Sequence, residues 1–173
     1  MGITIEQFGS ECQAMLKADP GPDGVERVRR RLEDVLVDAA FVARHLGPEN
    51  TETRKLLYED PELGFCILAH VNLGPKESSP HDHGLAWAIY GQATGETVMT
   101  DWRKVAPPDG DNPGKVDATD VYTLNPGMAR AYDVGDLHSP SRARETRLIR
   151  IESQNVQSIE RDAYEAVRPI APV

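Results

Sequence analysis

The stretch Ser79-Pro80-His81-Asp82-His83-Gly84 places two histidines two positions apart among turn-forming residues. Residues i and i+2 of a β-strand point to the same face of a sheet, so this spacing predicts that both imidazoles can reach one ion. A third histidine, His138, follows a strand-like run and the turn residues Gly135-Asp136. An adjacent antiparallel strand would bring it opposite the other two. The sequence therefore predicts a metal site made of His81, His83 and His138.

The chemistry of such a site follows from its ligands. Neutral imidazole binds iron, nickel, copper and zinc, and three protein nitrogens leave coordination positions open for a substrate or for oxygen. The pattern therefore favours a catalytic site over a closed structural one, although histidines at this spacing also occur without a metal. The other two histidines are assigned elsewhere. His45 lies near a predicted helix end, which favours a cation, and His70 lies in a strand, where we expect packing or hydrogen bonding.

The hydrophobic pattern changes once along the chain. From Ile5 to Leu46 it has the period of a helix, and the turn-forming stretch 19–24 divides it into two predicted helices. From Leu63 onward it predicts short strands, at 65–71, 87–90, 97–102, 121–124, 129–134 and 147–151. The stretch 107–114 is predicted to be a long exposed loop that could serve as a lid. We predict one domain, with a helical front at 1–50, an all-β barrel at 51–155 and a C-terminal tail at 156–173.

Composition excludes several classes of function. The 173 residues carry a formal charge of −9, which is unfavourable for binding phosphate backbones, so nucleic acid is not an expected partner. No apolar run is long enough for a membrane span and no secretory signal is present, so we expect no membrane partner and a cytoplasmic location. Cys12 and Cys66 have neither disulfide-framework nor zinc-site spacing, and both are predicted to be free thiols.

The histidine motifs and the residues around them are also similar to those of a known protein family. The chain resembles the cupin superfamily and, within it, the thiol dioxygenases of the cysteine dioxygenase type. Gly74 to Gly95 is similar to the first cupin motif, and Asp133 to His138 is similar to the second. Many cupins have a glutamate shortly after the second histidine, where this chain has Trp87 and Ala88. That difference leaves a three-histidine site, as in thiol dioxygenases.

The resemblance implies a cupin double-stranded β-helix, or jelly-roll barrel, with the two N-terminal helices packed against it. It implies iron(II) as the expected ion, with nickel, zinc or manganese as alternatives, and O₂ and a small carboxylate as substrates. A thiol such as cysteine or 3-mercaptopropionate would fit. Arg54 matches the arginine that holds the substrate carboxylate, and a guanidinium can bind a carboxylate through two parallel hydrogen bonds. The alternative for Arg54 is a surface arginine.

Two departures from the family concern chemistry. Thiol dioxygenases carry a serine, a histidine and a tyrosine on a late strand, whereas the corresponding stretch here is 147–153, Arg-Leu-Ile-Arg-Ile-Glu-Ser. The cysteine that forms a thioether in some members corresponds to Ala88, so that crosslink is absent. Alternation places Arg150 and Glu152 on one strand face, so this pair either lines the pocket as candidate catalytic residues or faces solvent. The candidate phenols, each also typical of a strand aromatic, are Tyr90, Tyr122 and Tyr132.

Two further hypotheses stay open. A metal-dependent isomerase or hydrolase would use zinc, nickel or manganese to polarise an oxygen. A non-catalytic cupin would use the metal to hold a ligand or to brace the barrel, and loss of the metal would then lower stability without any turnover. We also expect a homodimer, because open barrel edges often pair.

Overall fold

The computed structural model of the protein describes residues 2–158 and 161–168. Within these residues the chain begins with three α-helices: α1 Ile5–Ala18, α2 Pro22–Leu36 and α3 Ala39–Leu46. The expectation of two helices is therefore corrected. The Asp38 carboxylate accepts hydrogen bonds from the backbone N–H groups of Ala40 and Phe41, which ends the second predicted helix early and starts a third. No helix in the described part of the chain is long and apolar enough to cross a membrane.

Ten β-strands follow in the described residues. They are β1 Lys55–Glu59, β2 Cys66–Asn72, β3 Lys76–Glu77, β4 Ala88–Thr94, β5 Thr97–Ala106, β6 Gly114–Leu124, β7 Ala129–Tyr132, β8 Leu137–Arg142, β9 Thr146–Glu152 and β10 Tyr164–Ala166. The first sheet has the order β1-β2-β9-β4-β7 and the second has the order β10-β6-β5-β8-β3. Two five-stranded sheets, with the helices packed against the first, confirm the predicted all-β barrel with an N-terminal helical front.

Some strand boundaries differ from the sequence pattern. β4 continues to Thr94, beyond residue 90 where the pattern ends this strand, and β6 begins at Gly114, the last residue of the predicted loop 107–114. The pattern does not predict β8, since Pro140 has no N–H for a ladder hydrogen bond. In the structure β8 nevertheless pairs with β5 from Val98–Ser141 to Trp102–Leu137. This strand carries His138, so its position decides the geometry of the candidate site.

The outer face of the first sheet packs under the helices. Ile149 and Ile151 of β9 belong to one apolar core with side chains of all three helices, and both are fully buried. The helix α2 approaches β4 tightly at Gly91, where an added Cβ would lie 2.6 Å from Cδ2 of Leu32. The helical front is therefore held to the barrel by apolar burial, the dominant favourable contribution to folding.

The inner face of the same sheet faces the second sheet. Tyr90 of β4 and Leu148 of β9 pack in the barrel interior with Met99 of β5 and Leu124 of β6. Alternation along β4 and β9 thus sends neighbouring residues to two different environments.

The C-terminal segment adds to the second sheet. A 3₁₀-helix spans Val156–Ser158, and β10 pairs in parallel with the start of β6. Residues 159–160 and 169–173 of the predicted tail lie outside the described residues. Cys12 and Cys66 are both buried and free, as predicted.

Candidate metal centre

Backbone pairing positions two of the three histidines. The N–H of His81 donates to the carbonyl oxygen of His138 at 3.0 Å, and the N–H of His138 donates to the carbonyl oxygen of His81 at 2.9 Å. This isolated antiparallel bridge confirms that His138 lies opposite the first histidine motif. His83, however, lies outside any strand, so the expected strand alternation between His81 and His83 is wrong. His83 reaches the cluster because the chain turns after His81.

The three imidazoles form one cluster. One ligand nitrogen from each of His81, His83 and His138 lies within 4.8 Å of the other two. Nε2 of His83 and Nε2 of His138 are 3.1 Å apart. His83 and His138 are buried, and His81 is half-buried. The arrangement suits one ion reached from the His81 side.

The protonation states of the cluster favour a metal. Burial lowers the pKa of His81, His83 and His138, so all three are neutral at pH 7. Nδ1 of His81 lies 2.8 Å from the carbonyl oxygen of Ser79, and Nδ1 of His138 lies 3.2 Å from that of Asp136. An Nδ1–H that donates to a carbonyl leaves the Nε2 lone pair free for a metal. These two histidines therefore already have the tautomer of a metal ligand.

His83 has a different neighbour. Nη2 of Arg150 lies 2.9 Å from Nδ1 of His83 and 3.4 Å from its Nε2. Because a guanidinium can only donate hydrogen bonds, Nδ1 of His83 accepts in this arrangement. For His83 to bind an ion through Nε2, its Nδ1 must carry the proton, and Arg150 must turn away from it. The donor set thus fits a metal with one side-chain movement.

A phenol completes the cluster. The Tyr90 hydroxyl lies 3.1 Å from Nε2 of His83 and 3.3 Å from Nε2 of His138. Its ring lies under the Arg150 guanidinium, at 4.8 Å from the ring centroid. Burial raises the pKa of Tyr90, so the hydroxyl keeps its proton. Among the three candidate tyrosines, Tyr90 is therefore the one whose hydroxyl meets the histidine nitrogens, whereas the Tyr132 ring stacks on the His138 ring with centroids 3.9 Å apart.

The candidate catalytic residues Arg54, Arg150 and Glu152 lie together beside the cluster. The Glu152 carboxylate is fully buried, with Oε2 at 3.1 Å from Nη2 of Arg54 and Oε1 at 2.9 Å from Nε of Arg150. The contact with Nε of Arg150 lacks hydrogen-bond alignment and is a charge contact. Arg54 also donates to Asn155 and Gln157. The pair on β9 therefore faces the barrel interior, while its catalytic role stays a prediction.

A cavity of about 230 Å³ opens beside the cluster. Besides His81, Tyr90, Arg54 and Arg150, its lining includes two residues that sequence reasoning did not place in the site, His70 of β2 and Arg142 of β8. Residues 138, 140 and 142 share one strand face, but this alternation becomes visible only when β8 is known to be a strand. His70 could have been placed only with the register of β2 against β9.

Comparisons with solved structures give neighbours of low identity. A cupin superfamily protein from Desulfitobacterium hafniense is 13% identical, covering 57% of this chain and 72% of that chain at a TM-score of 0.41. A cupin-2 domain containing protein from Shewanella frigidimarina is 14% identical, covering 68% and 95% at a TM-score of 0.44. KdgF from Halomonas sp. is 14% identical, covering 60% and 81% at a TM-score of 0.44. No protein-family model and no curated protein matches the chain.

Proposed function

We propose that the protein is a three-histidine, metal-dependent cupin that acts as a non-haem iron dioxygenase on a small carboxylate, such as a thiol carboxylate. The observation that carries this proposal is the convergence of His81, His83 and His138 beside a cavity lined by cations. Three neutral nitrogen ligands suit a divalent transition metal and leave positions open for substrates. Bound iron(II) supplies the oxygen chemistry that amino-acid side chains lack.

The cavity's own residues bind and orient the substrate. Arg54 has five N–H donors, and its three hydrogen bonds to Gln157, Glu152 and Asn155 leave donors for a substrate carboxylate. Glu152 holds Arg54 in place from a fully buried position. Its side chain therefore positions the arginine and does not need to contact the substrate itself.

Two other residues act next to the histidines. Tyr90 keeps its proton and can donate a hydrogen bond to a group held at the cluster, as a buried phenol beside the substrate. Arg150, once it has turned from His83, presents a second guanidinium to the same space. In this proposal Tyr90 substitutes for the absent late-strand tyrosine, since β4 and β9 are paired with Tyr90 opposite Arg150.

Elemental analysis of protein purified without a histidine tag tests the metal site. We expect about one iron per chain in the wild type and loss of the metal in His81→Ala and in His138→Ala. His45→Ala is the matched control, because His45 lies on α3 and is not part of the cluster. Metal retained in either cluster variant would remove that histidine from the site.

Oxygen uptake then tests the reaction. Iron-loaded wild-type protein is expected to consume O₂ in the presence of cysteine or 3-mercaptopropionate, with one O₂ taken up for each thiol consumed. Bound metal without any oxygen uptake would contradict the dioxygenase and favour the isomerase, hydrolase or non-catalytic alternatives.

A further inference from the structure

Two arginines flank the turn between β8 and β9, and both are buried. Arg147 is 8% exposed, and its guanidinium donates to the carbonyl oxygens of Leu46, Gly47 and Asn50 at 2.6–3.2 Å. It also pairs with Glu145. Arg147 therefore has a structural role, because it satisfies the carbonyl groups at the C-terminal end of α3.

Arg142 is buried without such partners. It is 6% exposed, its buried Nε has no hydrogen-bond partner, and its guanidinium forms no ion pair with a carboxylate in the described part of the chain. Its side chain lines the cavity beside the histidine cluster. A buried cation without a counter-charge is unfavourable, and the usual partners of a guanidinium are carboxylate and phosphate groups. Arg142 therefore lacks a partner of the kind that an anionic ligand would supply.

His70 has a second unpartnered atom on the same cavity. Its Nε2 is buried and makes no hydrogen bond within the described residues. His70 lies on β2 of the first sheet and Arg142 on β8 of the second, so two separate elements direct unpartnered polar groups at one space. Lys76, which pairs in register with Arg142, adds another cation to the lining.

The charges of the cavity are unbalanced. Its lining holds Arg54, Arg142, Arg150 and Lys76, and no carboxylate from residues 2–158 or 161–168 is part of it. The nearby Glu152 carboxylate already contacts Arg54 and Arg150 and accepts a hydrogen bond from the backbone N–H of Val156. One carboxylate ligand at Arg54 would thus leave Arg142 without a partner, although the chain as a whole carries a charge of −9. A cavity of about 230 Å³ also excludes large ligands.

We propose that this cavity binds a small dianion, with one acid group on Arg142 and His70 and the other beside Arg54 and Arg150. That this dianion is the substrate rests on the proposed function. That the cavity binds a dianion does not depend on it, and binding is expected in the metal-free protein as well. A substrate with a single carboxylate would leave the Arg142 position unused.

Calorimetric titration of the metal-free wild type with succinate and with butyrate tests the proposal directly. The two probes have the same chain length and differ in one carboxylate. Because hydrogen bonds to charged groups are among the stronger ones, succinate is expected to bind at least about tenfold tighter. Equal affinity for the two probes would overturn the proposal without any variant.

Arg142→Met assigns the preference to this residue. The variant keeps a long side chain but removes the charge, and its preference for succinate is expected to fall below about threefold. Arg144→Met is the matched control, because Arg144 is exposed two positions along the chain and should keep the wild-type preference. A preserved preference in Arg142→Met would overturn the assignment. If that variant does not fold, His70→Leu replaces it and must lower the preference at least about threefold.

The dianion proposal and the dioxygenase proposal fail separately. An Arg142-dependent preference for succinate in a protein that takes up no O₂ supports the binding site and contradicts the dioxygenase. Oxygen uptake in a protein that binds succinate and butyrate equally contradicts the dianion site alone.

Discussion

The outer and inner faces of the first sheet are built from the same strands but serve different purposes. On β9, Ile149 and Ile151 point outward into the apolar core under the helices, and both are fully buried. Between and beside them, Arg150 and Glu152 point inward toward the histidine cluster. Apolar burial needs no specific partner, whereas buried charges require one and often reduce stability. The comparison indicates that the outer face stabilises the fold and that the inner face carries the buried polar groups of the candidate site.

Glu152→Gln removes the buried carboxylate of the inner face and has the largest expected effect on stability. The substitution leaves Arg54 and Arg150 without their shared carboxylate, so the free energy of unfolding is expected to fall by about 3–5 kcal/mol. Urea denaturation of the metal-free protein measures it. Glu145→Gln is the control, because the Glu145 side chain is 50% exposed in its pair with Arg147 and should cost less than about 1 kcal/mol. Equal losses in the two variants would contradict the distinction.

Leu32→Ala breaks the outer face. Leu32 is fully buried against Gly91, so the cavity left by the substitution is expected to lower the free energy of unfolding by about 2–5 kcal/mol. Metal content should not change, because α2 does not contact the histidine cluster. Leu73→Ala, at a side chain that is 59% exposed, is expected to stay within about 0.5 kcal/mol of the wild type. Metal loss in a folded Leu32→Ala would show that the two faces are coupled.

The pH dependence of stability sharpens the comparison with a smaller effect. Burial holds the pKa of His70 well below 6.5, and nearby arginines act in the same direction. Below pH 6.5 the unfolded chain therefore binds a proton that the folded chain does not, so stability falls as the pH falls. Each such histidine contributes about 1.4 kcal/mol per pH unit below that point. His70→Gln should make the slope of the metal-free protein shallower by about this amount between about pH 6 and pH 5.

Leu32→Ala serves as the control for this slope. It should lower stability at every pH and keep the wild-type slope, because it changes no titrating group. If the pH dependence of stability is unchanged in His70→Gln, then His70 binds its proton equally well in the folded and unfolded chain, and the prediction is wrong.

Much of the candidate site could be predicted from local pattern. The histidine motif at 81–83 and His138 after a turn were sufficient to predict the cluster of three histidines, and alternation separated Arg150 and Glu152 from Ile149 and Ile151. Tyr90 was among the candidate phenols, but nothing local distinguished it from Tyr122 or Tyr132. In the structure the hydroxyls of Tyr122 and Tyr132 are hydrogen-bonded to each other at 2.6 Å, and among these three hydroxyls only that of Tyr90 reaches the histidine nitrogens.

Two features of the fold were beyond local pattern. The break between α2 and α3 depends on the Asp38 side chain, which accepts hydrogen bonds from the first N–H groups of α3. The apolar period of the sequence continues across this position, so the period alone does not reveal the break. The strand β8 contains Pro140, and a proline in the sequence argues against a strand. Only the pairing of β8 with β5 shows that the segment is one. Without β8, the face shared by His138 and Arg142 could not be recognised.

The sequence by itself determined which residue types could bind a metal and which side chains share a face, because the two-residue period of a strand is a local property of the backbone. Only the tertiary structure decided which face lies inside. Arg54 meets Glu152 across 98 positions, and Arg150 meets His83 across 67. Contacts at such separations depend on how whole sheets pair and curl. For the same reason, Arg142 and His70 entered the cavity only when the two sheets were placed against each other.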